Sequence, residues 1–132
     1  MTDTELDMPI IDMATPMPGF PAHRQFVLVE LNDDGLLYAF TSIQDPSLRF
    51  LVAPPEPFFP DYAPEIENEV LAALNTKDPD RLLLLVVITA GQEETTANLL
   101  APIVVDRDSR RAMQVVLNGS NMPVRAVMRK TY

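Results

Sequence analysis

The sequence has no cysteine and no tryptophan, only four glycines, and a single histidine. Without cysteine there can be no disulfide and no thiolate metal site, which fits a reducing compartment. The lone histidine, His23, has no cysteine to form a catalytic pair, and it is assigned a structural place near the surface. Four glycines are too few for a phosphate-cradling loop, and no GxGxxG, GxxxxGK[ST] or HExxH pattern occurs. Long apolar runs are also missing. The longest, residues 82–88, falls well short of the roughly 20 residues of a membrane-spanning helix. The acidic opening TDTELDMPII is not read as a secretory signal. Residues 32–35, NDDG, resemble part of a calcium loop. They lack its alternating acids, and Ile43 stands where its closing glutamate belongs.

What is present describes a folded acidic protein. Of 132 residues, 47% are hydrophobic, a globular composition. A chain of this length is expected to form a single domain, 1–132, with a core that needs no staples. The net charge is −9 and unevenly placed: residues 1–80 carry 15 acids and 3 bases, the rest 4 acids and 7 bases. A surface of this sign repels phosphate backbones, so direct nucleic-acid binding is not expected. It suits a basic protein partner.

Alternation of apolar and polar residues marks the strands, because successive side chains of an extended chain point to opposite faces. In residues 97–105, Ala97, Leu99, Ala101, Ile103 and Val105 share one face. After a polar loop at 106–111, Met113, Val115 and Leu117 share a face of a second strand antiparallel to the first. Leu99, Ile103, Val115 and Leu117 are expected to be buried. Pro102 has no N–H for a ladder and belongs at a bulge, or where its nitrogen faces away from the neighbouring strand. Further strands are expected at 26–31, 37–42, 48–53, 81–89 and, briefly, 124–128. The 81–89 strand is apolar on both faces and therefore central. Residues 1–17 form a loosely ordered arm or an edge strand around Pro9, Ile10 and Ile11, and Phe20 anchors the arm on the core. A single helix is expected over 64–74, opened by Pro64 and carrying Ile66, Val70 and Leu74 as its apolar stripe. The fold class is mainly β: a small antiparallel, barrel-like domain with one short helix.

The most distinctive segment is PEPFFPDYAPE, residues 55–65. Its four prolines exclude regular structure, yet Phe58, Phe59 and Tyr62 sit among them. Aromatics dominate cores and interfaces alike. The rings are read either as plugs for one end of the barrel or as a surface for a partner, and both can hold for different rings. The candidate partner-binding residues are Phe58, Phe59, Asp61 and Tyr62, the acids Glu65, Glu67 and Glu69, and Asn98 and Leu100. Asn98 is expected to add a polar handle to an apolar patch formed by Phe58 and Tyr62. No set of residues has catalytic spacing, so a binding protein without cofactors is expected rather than an enzyme.

Five pieces in order resemble the flagellar assembly factor family FliW. They are Pro18-Gly19-Phe20 followed by Phe26-Val27-Leu28; Ser42-Ile43 with Asp45-Pro46 and Phe50; Pro57 through Tyr62; Thr96 through Val105; and Gln114 through Asn118. The resemblance implies a cytoplasmic, barrel-like protein, monomeric alone, that binds flagellin and the basic RNA-binding translational regulator CsrA. Freed from flagellin, such a protein antagonises CsrA allosterically, and flagellin mRNA is then translated. Two alternatives stand beside this: a flagellin chaperone only, or a small β-barrel ligand-binding protein or enzyme.

Overall fold

A computed structural model of the chain describes residues 10–31 and 34–128. The expectations for residues 1–9, for the start of the 32–35 turn and for the basic tail beyond 128 lie outside the described residues. Among the described residues nine strands are present: β1 (Ile10–Met13), β2 (Gln25–Glu30), β3 (Tyr38–Ser42), β4 (Arg49–Ala53), β5 (Leu82–Ala90), β6 (Thr95–Ala97), β7 (Ile103–Asp106), β8 (Arg111–Gln114) and β9 (Ala126–Val127). One α-helix, α1 (Asn68–Ala73), precedes β5. Strands pair in the order β4-β3-β2-β1-β8-β7-β5, and β5 pairs back onto β4 through Val52 with Val87 and Ala53 with Val86. That second contact closes a seven-stranded barrel, which removes the open edges of the sheet. β6 and β9 extend from the far end of β5 as two extra strands.

The mainly-β, barrel-like expectation is thus met, and β2 to β5 fall within a residue of their expected bounds. β5 is central as its two apolar faces require, pairing with β4, β6 and β7. β7 and β8 are adjacent and antiparallel. Inside the barrel Phe26 and Phe40 stack with ring centroids 4.4 Å apart, among Ile11, Met13, Val52, Leu85 and Ile103. Phe20 packs edge-on against Phe50 at 5.6 Å, the anchoring role assigned to it. His23 lies beside it and shares a 2.7 Å hydrogen bond with the buried Ser42 hydroxyl.

Three expectations are corrected. First, Ile10 and Ile11 do not lie in an edge strand. β1 pairs antiparallel with β2 and parallel with β8, the one parallel pairing in the barrel. Ile11 and Met13 point inward and are each 2% exposed, so this strand fills the gap between β2 and β8. Second, residues 97–105 do not form one strand. Ala97 pairs with Ile88 and Ile103 with Leu85, so residues 98–102 lie opposite only Val86 and Val87. The surplus is a large bulge, and Pro102 lies in it as its missing N–H requires. Leu99, Ile103 and Val115 are buried as expected, while Leu117 is half-buried.

Third, the helix is much shorter than 64–74. Glu67 is extended, with φ −71° and ψ 155°, so Pro64 does not open the helix. Only Asn68–Ala73 is helical. Ile66 still reaches the cluster of Val70, Leu74, Val104 and Val115, but from an extended lead-in. Asn75 ends the helix: it takes φ 59°, and the Asn75 and Thr76 amides donate to the Ala72 and Leu71 carbonyls. From the β7–β8 turn the Ser109 hydroxyl donates to the Leu74 carbonyl, and from the start of β8 the Arg111 guanidinium donates to that of Ala73 at 3.1–3.2 Å. α1 therefore covers the outer face of β7, which explains why Val104 is as buried as Ile103.

Candidate functional site

Prolines make the backbone of residues 55–65 stiff, and local hydrogen bonds complete its shape. The amides of Phe58 and Phe59 both donate to the Pro55 carbonyl, and the Tyr62 amide donates to that of Phe59. The loop is then fixed to the bulge: the Tyr62 hydroxyl donates to the Leu99 carbonyl at 2.7 Å. Burial pushes that hydroxyl up from 10.0 to about 12, so it stays protonated and remains a donor at any physiological pH.

The three rings divide between the two roles weighed for them. Phe59 and Tyr62 pack on the cluster of Val86, Ala97 and Leu99, together with Met122, Ala126 and Met128. They plug this end of the fold. Phe58 belongs to none of the buried clusters. It lines a depression of about 400 Å³ with Phe59, Pro60, Asp61, Tyr62, Leu99 and Met122. An apolar concavity with one carboxylate at its rim can hold an apolar side chain of a partner and meet a cation beside it.

Four of the proposed site residues, Phe58, Phe59, Asp61 and Tyr62, are thus brought together. Glu65 and Glu67 line a neighbouring groove of about 580 Å³, bounded on its other side by Val115, Val116, Leu117 and Asn118. Met122 borders both concavities. Glu69 is exposed in the first turn of α1 and lines neither. Asn98 does not line the aromatic depression. Its carboxamide oxygen accepts from the Leu100 and Ala101 amides at 3.0 and 3.1 Å and so stabilises the bulge from within. Leu100 is half-buried, with its carbonyl taking the Leu117 amide. The sequence reading missed Met122. It packs on the same cluster as Ala126 and Met128, but the exposed Val124 breaks any two-residue series leading to it.

Among the described residues no group of three or more His, Asp or Glu side chains is placed to hold a metal ion. No helix there is long and apolar enough to cross a membrane.

The model of the FliW protein family matches residues 2–128. The flagellar assembly factor FliW of Syntrophomonas wolfei is 33% identical over 118 residues, 88% of this chain and 76% of that protein. The Bacillus subtilis flagellar assembly factor FliW is also 33% identical, over 85% of this chain and 80% of its own. A crystal structure of the flagellar assembly factor FliW superposes with a TM-score of 0.84 at 30% identity, covering 89% of this chain and 84% of that one. These relatives are named for flagellar assembly and not for a catalytic activity.

Proposed function

This chain belongs to the FliW family of flagellar assembly factors, and from that membership we propose that it acts as a partner switch in the cytoplasm. It binds flagellin. When flagellin is exported, the freed protein binds CsrA and antagonises it allosterically, which relieves repression of flagellin mRNA translation. The work requires surfaces and no reactive group. The observation that carries the binding role is the aromatic depression: Phe58 stands partly exposed on a loop that prolines and the Tyr62–Leu99 hydrogen bond already hold in shape. A preformed site loses little conformational freedom when a partner docks. The uneven charge, acidic through residue 80, favours approach by a basic regulator.

Competition between purified partners tests the switch. CsrA bound to the immobilised protein should be released by flagellin. Binding of flagellin with no binding of CsrA at micromolar concentration would reduce the function to that of a chaperone.

A further inference from the structure

Residues 62–67 alternate half-buried and exposed with a period of two: Tyr62, Pro64 and Ile66 are covered, while Ala63, Glu65 and Glu67 are open. This is the burial pattern of a strand lying on a protein surface. Tyr62 fixes one end through Leu99, and Ile66 and α1 fix the other. Yet among the described residues no strand lies beside it. The amides of Ala63, Glu65 and Ile66 and the carbonyls of residues 63–66 make no hydrogen bond with any described residue. Across the 580 Å³ groove the Val116 amide is likewise unpaired, and its side chain is 51% exposed. A row of unpaired backbone groups along an extended segment is what a sheet edge offers to an incoming strand.

We propose that residues 63–67 are a vacant strand-addition site, and that its occupant is an extended segment of a partner protein alternating apolar residues with lysine or arginine. The alternation follows from pairing geometry. Residues directly opposite one another in paired strands share a face. Those opposite Glu65 and Glu67 point outward beside two carboxylates that form no ion pair with a described residue, so cations are favoured there. Those between them point toward the barrel, where Val116, Leu117 and Met122 line the groove, so apolar side chains are favoured. Main-chain hydrogen bonds supply affinity and the two side-chain rows supply specificity. This surface adjoins the Phe58 depression through Met122, but none of residues 63–67 lines that depression, so its test stands or falls without that site.

The probe is a library of eight-residue peptides in which apolar residues alternate with lysine or arginine, selected against the full chain. An enriched peptide should slow hydrogen exchange at least tenfold at one or more of the Ala63, Glu65 and Ile66 amides. N-methylation of its alternate backbone amides should weaken binding at least tenfold. The double variant Glu65→Lys, Glu67→Lys should lose the peptide while keeping the wild-type melting temperature. Unchanged exchange at all three amides overturns the proposal, as does equal binding of the methylated peptide. Slowed exchange that rises with protein concentration in the absence of peptide would make the occupant a second copy of this chain, and also overturns it.

Discussion

The Tyr62 hydroxyl donates a 2.7 Å hydrogen bond to the Leu99 carbonyl, joining two segments 37 residues apart. Tyr62 belongs to the proline-stiffened loop and Leu99 to the bulge between β6 and β7. The bond closes one end of the fold and sets the floor of the aromatic depression. Tyr62→Phe leaves the Leu99 carbonyl without its partner and should cost about 1–3 kcal/mol, read by urea denaturation. The same hydroxyl has a raised pKa, so its contribution is intact below pH 10 and is lost as pH rises toward about 12. Wild-type stability should therefore fall across that window, and Tyr62→Phe should flatten this part of the slope.

Leu99 is 6% exposed and packs with Phe59, Tyr62 and Met122. Leu99→Ala should destabilise the protein by about 2–5 kcal/mol, as buried leucine truncations do. An unchanged denaturation midpoint would show that this cluster is not part of the folded core.

Asn98 supplies two hydrogen bonds inside the bulge, to the Leu100 and Ala101 amides. Asn98→Ala should cost about 1–3 kcal/mol of stability. Partner affinity measured well below the melting temperature should stay within about twofold of wild type. A large loss of affinity with no loss of stability would restore the polar-handle role that the sequence alone suggested.

Glu65, Glu67 and Glu69 are exposed and lie within the acidic first part of the chain. Steering of a basic partner by such charges weakens with salt, since the screening length is about 8 Å at physiological ionic strength. Charge reversal at all three should lower the association rate for CsrA measured by stopped flow. The effect should shrink as salt is raised. A rate indifferent to both changes places the contact elsewhere.

The barrel was largely legible because β2 to β5 are short apolar-rich runs separated by turn residues. Pro102 pointed to a bulge as one of two placements. What failed had common causes. Ile11 and Met13 are too short a pattern to reveal that β1 is paired on both sides, and its parallel neighbour β8 lies about a hundred residues away in the chain. Ile66, Val70 and Leu74 have helical spacing, but an extended lead-in brings Ile66 to the same cluster, so spacing alone could not set the helix start. In the site, the aromatic loop was visible from its composition. The bulge-completing bonds of Asn98 were not legible, because a carboxamide that completes a bulge and one that meets a partner look alike in a one-dimensional pattern.

The most direct measurement is the affinity of the Phe58→Ala variant for flagellin, taken together with its melting temperature. Phe58 stands in the depression but in none of the buried clusters. If flagellin docks there, truncation should cost about 2 kcal/mol, or about thirtyfold in Kd. The melting temperature should remain that of the wild type. Wild-type affinity in a variant of unchanged stability would contradict the account.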